Sequence, residues 1–439
     1  MLTARQFYLL RPWVKSVGSF GKFTASCPTV GRRERFQAWR RSGVSVLLKK
    51  LNRGWTSSVV KVLVLYDYPP SAGGLATQGD LLFKGLRELG VDVYPAHFNS
   101  AQEKAWYYQW FKPDVVVGIG YWGHAPDLVL HPLRYGVRPV PWLVADGYIA
   151  NYADVLNSLK LILVTSNWVR ETYIRDGIDP KIIEVLPVGC DTDSFVQRPS
   201  TDPKISIVRE ILGISPDQVM ILTVGGDAAS KGALEVMQAL ALINARAPDW
   251  KYVCKVWPQP RTVTQNLADL RLATDLGIEK NVIYITNTIS RNFMPYLIGA
   301  CDIYAAPSRL EGFGMPQIEA GACGKPVIGI RAMAMLDTLI DGETALLADI
   351  GQEIRISETV LGEAEGYSEG HRISFDPPRV AGYRASIDDI AEALLRLMQD
   401  EQLRRSMGEA GRRRTVELFN YKVVARKFVE IISRRLSIS

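Results

Sequence analysis

From Val60 onward, short apolar runs alternate with stretches whose apolar positions recur every three to four residues. The runs are Val60–Tyr66, Val115–Ile119, Val140–Val144, Leu161–Thr165, Ile183–Val188, Val219–Val224, Tyr252–Val256, Val282–Ile285, Ile303–Ala306 and Val327–Ile330. Most are rich in β-branched residues and nearly continuous, the pattern of parallel strands covered on both faces. Strands separated by helical patterns predict α/β layers with right-handed crossovers. Ten runs exceed one Rossmann-like sheet and suit two.

The seam is expected in Pro187–Ser215, whose first half is rich in Pro, Asp, Ser and Thr, as a linker should be. The expected division is an N-terminal domain over 60–195 and a second domain over 196–414. A helix over about Gln402–Leu436 carries an apolar seam of Val416, Phe419, Val423, Val424, Phe428, Ile431 and Ile432. Its part from about 415 to 436 is expected to pack back on the first domain. Gly351–Tyr383, with Pro377-Pro378 and several glycines, reads as a surface loop insertion. Residues 1–59 have no period and read as a basic, disordered extension.

The chain has 439 residues, 47% hydrophobic and 22% charged, which is ordinary globular composition. That excludes a wholly disordered chain and a small disulfide scaffold. No run of 18 apolar residues predicts a membrane-spanning helix. Five widely spaced cysteines and four histidines form no C-x-x-C or H-x-x-x-H pair. A disulfide framework and a metal centre are therefore not expected. Charge is uneven: residues 1–60 carry 12 Lys/Arg and one acid, and residues 403–439 carry 10 bases and 3 acids. The stretch between is acidic, so nucleic acid is not an expected partner. Basic ends favour an anionic membrane surface or a targeting role. A secretory signal is not evident, so the expected location is cytoplasmic and peripheral at the membrane.

Three loops carry candidate chemistry. Glu311-Gly-Phe-Gly-Met-Pro-Gln-Ile-Glu319 follows the run Ile303–Ala306 and leads into a helix at Pro316. Its glycines allow close backbone approach, the helix start favours phosphate, and its two carboxylates can accept hydroxyl bonds. Gly225-Gly-Asp-Ala-Ala-Ser-Lys231-Gly232 follows Val219–Val224 and opens a helix over Ala233–Ile243. Its lysine sits in the mouth of a glycine-rich turn, a pyrophosphate-binding arrangement that is not a P-loop. Asp67–Ala76, containing Gly73-Gly74, follows Val60–Tyr66. Ligands of open α/β sheets bind at these strand ends.

With these motifs in this order, the chain over roughly 60–435 resembles a family 4 glycosyltransferase of the two-Rossmann-domain GT-B fold. Glu311–Glu319 is similar to the family's E-x7-E signature, and Gly225–Gly232 to its glycine–lysine phosphate loop. Pro187–Phe195 is similar to its interdomain segment and Gly73-Gly74 to its first glycine loop. The resemblance implies two Rossmann-like domains facing across a cleft, and retaining transfer of a sugar from a nucleotide donor without a metal or other cofactor. It implies that Glu319 holds the ribose and Glu311 a sugar hydroxyl. Backbone N–H groups of Gly312, Phe313, Gly314 and Met315 would contact the sugar. Lys231, with Gly225, Gly226 and the amides of Gly73 and Gly74, would receive the diphosphate. The implied donor is a UDP- or GDP-sugar, and the implied acceptor a glycan or lipid-linked glycan. It is expected near Gly73–Gln78, Tyr121–His124 and Asp146–Tyr152.

Three positions depart from the family pattern. Gly226 stands where an arginine is frequent, with Lys255 or Arg261 as substitutes. Asp146 stands where many members have histidine; it and His124 are further catalytic candidates. Arg331–Thr338 lacks the usual glycine pair and glutamate. Two competing readings remain at this level. Gly118-Ile-Gly120-Tyr-Trp-Gly123 is a literal G-x-G-x-x-G with Asp146 beyond it, as in an NAD(P)-dependent oxidoreductase. A non-catalytic GT-B binding or scaffold protein is the other. Asp191-Thr-Asp193 reads as a turn.

Overall fold

A computed structural model describes residues 60–144, 147–257 and 260–437. The expected extension over 1–59, and Asp146, lie outside the described residues.

Residues 61–185 build the first sheet. Its strands are β1 (Lys61–Tyr66), β2 (Asp92–His97), β3 (Val115–Gly120), β4 (Pro139–Leu143), β5 (Ile162–Val164) and β6 (Ile183–Val185). They lie in the order β2-β1-β3-β4-β5-β6, all parallel. Apolar continuity has a direct cause in β1: Val62, Val64 and Tyr66 enter one core, Leu63 and Leu65 the other. A strand buried on both faces cannot alternate.

The second sheet contains β7 (Val219–Val224), β8 (Trp250–Lys255), β9 (Val282–Ile285), β10 (Ile303–Ala305), β11 (Val327–Ile330) and β12 (Ala345–Ala348). Their order is β12-β11-β10-β7-β8-β9, again parallel. Chain order reverses between β1 and β3 in one sheet and between β7 and β10 in the other. Those are the crevices where open α/β sheets take ligands.

Between 350 and 385 the expected surface loop is instead a long antiparallel hairpin, β13 (Ile350–Leu361) with β14 (His371–Ala385). Ile354, Ile356 and Ile373 are half-buried while Arg355, Ser357 and Arg372 are exposed, so the segment is a two-residue alternation interrupted by bulges. It leaves the second sheet and reaches the first domain. Leu361 is buried there in the core built on Leu63, Leu143 and Val164.

The C-terminal helix is also interrupted. Glu401–Arg414 runs into a wide turn over Thr415–Phe419, and Asn420 then caps a new helix, Tyr421–Leu436, by accepting the Lys422 N–H at 2.8 Å. Cys190 locks the break: its N–H donates to the Phe419 carbonyl at 2.6 Å, and its carbonyl accepts the Tyr421 N–H at 3.0 Å. The two interdomain crossings thus run side by side. Tyr421–Leu436 then packs on α1 (Gly74–Glu88) of the first domain, close enough that a Cβ on Gly85 would lie 2.7 Å from the Ala425 methyl. Lys84 donates to Asp191 at 2.9 Å, and Asp191 also accepts the N–H groups of Asp193 and Ser194. The D-x-D is a turn.

Candidate active site

The loops after β1, β7 and β10 meet in a cleft of about 1170 Å³ between the two sheets. Gly73, Gly74, Gly225, Gly226, Lys231, Glu311, Gly312, Phe313, Gly314, Met315 and Glu319 all line it. A Cβ on Gly74 would stand 3.9 Å from the Met315 sulfur, so the first-domain loop faces the second-domain motif directly. Thr165 at the end of β5 donates to the Gly312 carbonyl at 2.9 Å, tying the same motif to the first domain.

Local sequence explains each loop. Gly232 takes a left-handed φ of 82°, and a Cβ there would meet the Pro307 carbonyl at 2.4 Å. Only glycine lets the turn pass between the motifs and start α2 (Ala233–Ile243). Gly225 leaves the space that the Lys231 stem crosses. Gly314, at φ 90°, caps α3 (Met315–Ala322), with Pro316 in its first turn. Neither Gly73 before α1 nor Gly314 before α3 carries a side-chain cap. Both helix starts therefore present backbone donors and positive dipole ends.

Lys231 Nζ lies 2.8 Å from Glu311 Oε2, and Glu311 Oε1 accepts the Gly314 N–H at 3.0 Å. Burial alone would raise the Glu311 carboxyl, but the Lys231 charge and these hydrogen bonds hold it below its usual range. Burial likewise works against the Lys231 charge, and Glu311 overrides it, raising the ammonium pKa. Glu319, 3% exposed, pairs with Arg291, whose guanidinium lies 4.7 Å from the centre of the Phe195 ring. Both signature carboxylates are thus held by cations from neighbouring loops.

Sequence reasoning did not single out Arg291. It follows the edge strand β9, and its partner Glu319 is fixed only by the order of strands. Of the substitutes weighed for the cation missing at 226, Lys255 is 6% exposed and donates to the Val256 carbonyl at 2.7 Å. The Arg261 side chain lies outside the described residues. Trp257 occupies the space beside Gly226: a Cβ at 226 would stand 3.3 Å from its ring.

His124 does not line this cleft. The turn Trp122–His124 directs its ring between Tyr121 (4.3 Å between centroids) and Phe98 (5.0 Å), and burial lowers its pKa. Within the expected acceptor stretches, Tyr121 and Tyr148 are half-buried and bonded to the hairpin segment. Tyr121 donates to Glu365 at 3.0 Å, Tyr148 bonds Thr359 at 2.9 Å, and Tyr367 donates to the Ala150 carbonyl at 2.7 Å. The oxidoreductase alternative meets a steric obstacle at Gly118–Gly123. The space above Gly118, Gly120 and Gly123 is filled by Leu128, His124 and Tyr121, each within 3 Å of where a Cβ would be. No backbone surface is left for a pyrophosphate.

The fold and cleft define a two-domain GT-B architecture. Solved structures share it: a glycosyltransferase from Rickettsia africae (TM-score 0.68, 18% identity, covering 87% of this chain and all of that one) and Anabaena HepE in complex with UDP and glucose (TM-score 0.65, 16%, 85% and all). Residues 204–362 match the family model described as Glycosyl transferases group 1. The GDP-mannose-dependent alpha-(1-6)-phosphatidylinositol monomannoside mannosyltransferase of Mycolicibacterium smegmatis is 28% identical over 240 residues, 53% of this chain and 58% of that protein. D-inositol 3-phosphate glycosyltransferase 2 of Catenulispora acidiphila is 30% identical over 278 residues, 62% of each chain. The chain thus spans about three-fifths of the length of these curated relatives.

Proposed function

We propose that the protein is a retaining glycosyltransferase that moves a sugar from a UDP- or GDP-sugar to a glycan or lipid-linked glycan without a metal. The observation that carries this is the Lys231–Glu311 pair across the crevice between β7 and β10, with Gly73-Gly74 opposite. As the sugar–phosphate bond breaks, negative charge grows on the departing diphosphate. Lys231 and the free N–H groups before α1 are placed to stabilise it, the kind of term that contributes most to many rate enhancements. Glu319 receives the ribose and Glu311 a sugar hydroxyl.

Glu311 has one oxygen on Lys231 and the other on the Gly314 N–H, which suits holding a hydroxyl better than attacking carbon. Retention then follows from attack on the face the diphosphate leaves. The acceptor oxygen bonds to the anomeric carbon, the sugar–phosphate bond breaks, and the acceptor proton passes to a departing phosphate oxygen. The names of the two relatives, a GDP-mannose-dependent phosphatidylinositol monomannoside mannosyltransferase and a D-inositol 3-phosphate glycosyltransferase, support a nucleotide-sugar donor and a glycan-type acceptor. The basic ends support a place at the cytoplasmic membrane face, and among the described residues no helix is long and apolar enough to cross it.

Release of nucleoside diphosphate from UDP-glucose and from GDP-mannose, each with EDTA, tests the reading. One donor is expected to be consumed in EDTA, with the sugar product keeping the donor's anomeric configuration by NMR. Release from neither favours the scaffold alternative; an inverted product overturns retention; loss of turnover in EDTA overturns metal independence.

A further inference from the structure

The loop after β7 is built without a second cation. Position 226 is glycine, the Trp257 ring stands beside it, and the Trp257 N–H donates to the Gly226 carbonyl at 3.0 Å. Lys255 is turned inward onto a carbonyl. Lys231 is engaged by Glu311. A nucleoside diphosphate brings more negative charge than one lysine offsets.

Arg291 also lines the cleft, and its side chain is 41% exposed. One face of its guanidinium rests on Phe195 of the interdomain segment, and Nη2 bonds Glu319. Its planar fork has five N–H donors, of which the Glu319 contact takes one. A fixed fork with free donors suits phosphate better than a flexible ammonium does. In a nucleotide the α-phosphate is joined through one methylene to the ribose. A guanidinium bonded to the ribose-holding carboxylate is therefore within reach of that phosphate.

We propose that Arg291 is a donor-binding residue, its guanidinium taking the α-phosphate charge that position 226 leaves uncompensated while bonded to Glu319. This rests on the donor reading above. The test is calorimetric titration of the full chain with uridine, guanosine, UDP and GDP, for wild type, Arg291→Gln and Arg291→Lys. Arg291→Gln is expected to weaken the diphosphate that wild type binds by about 10- to 100-fold, the range of charge-assisted hydrogen bonds. The matching nucleoside should change by less than about threefold, and Arg291→Lys, which keeps the charge but loses the fork, should recover only part of the diphosphate loss. Equal losses for nucleoside and diphosphate would make Arg291 only a prop for Glu319 and overturn the assignment, as would no loss at all. Absence of wild-type binding to both diphosphates overturns the donor reading itself, a distinct outcome. If Gln at 291 leaves Glu319 unpaired and the fold fails, Arg291→Gln/Glu319→Gln compared with Glu319→Gln alone carries the same contrast.

Discussion

Lys231 and Glu311 are 80 residues apart in sequence and 2.8 Å apart in space, and their contact spans the point where strand order reverses between β7 and β10. Each belongs to a loop that leaves a buried parallel strand and enters a helix. Because β7 and β10 are neighbours, with Ile303 opposite Ile221, the two loops open on the same edge. A cation and a carboxylate are thereby set at the mouth of a cleft whose other wall is Gly73-Gly74.

If that pair serves the departing diphosphate, Lys231→Ala and Glu311→Gln should each lower turnover by about 10²–10³ while the chain stays folded. Initial rates of nucleotide release, with circular dichroism as the folding control, check this. Near wild-type rates in both would remove the pair from the mechanism.

The pair also sets a pH window. Glu311 has its folded pKa lowered from an ordinary 4.5, so its stabilisation is complete above that value and is lost as pH falls through the folded value. Lys231 has its pKa raised from 10.5, so its share is complete below that value and is lost as pH rises through the folded one. Thermal midpoints measured from pH 3 to 11 should fall more gently at both ends in Lys231→Met/Glu311→Gln than in wild type. Parallel curves would show that the contact carries no linkage.

Gly232 and Gly213 both have left-handed φ, 82° and 68°, but only Gly232 abuts another segment, the Pro307 carbonyl. Gly213→Ala should cost about 1–2 kcal/mol, the backbone term alone. Gly232→Ala adds a clash and should cost clearly more, measured by urea unfolding. Equal losses would contradict the close approach of the two motif loops.

Leu361 anchors the hairpin in the first domain's core. Truncating a buried leucine to alanine costs about 2–5 kcal/mol, but a hairpin can release locally before the domain unfolds. Leu361→Ala should therefore speed hydrogen exchange of amides over 350–385 and leave β1 and β3 protected. Uniform loss of protection would show that the hairpin is integral to the sheet's stability.

Much of this architecture is visible in the chain, for reasons particular residues illustrate. β1, β7 and β10 read as strands because both faces are buried, and α2 because Gly232 marks its start. β2 escapes notice since Pro95 interrupts an edge strand with mixed burial. The hairpin escapes because Pro377-Pro378 and its glycines resemble a loop, while its partner surface is distant in sequence. Asn420 looks like one polar residue in a helical run, and only the Cys190 contact shows that the chain breaks there. The motif carboxylates and Lys231 are legible as types at strand ends. Their pairing is not, because strand order decides it, and for the same reason Arg291 was hidden. His124 was legible as a polar loop residue, but its ring direction depends on packing against Tyr121 and Phe98.

The most direct test of the account is a thermal-shift panel of UDP, GDP, ADP, their common sugar conjugates and NAD(P), with and without EDTA. A ligand that binds only the folded state adds about 2.7 kcal/mol of apparent stability at 100 times its dissociation constant. The account predicts that one nucleoside diphosphate and its sugar conjugate raise the midpoint equally with and without EDTA, and that Lys231→Ala abolishes most of the shift. Stabilisation by NAD(P) alone, or an undiminished shift in Lys231→Ala, would contradict it.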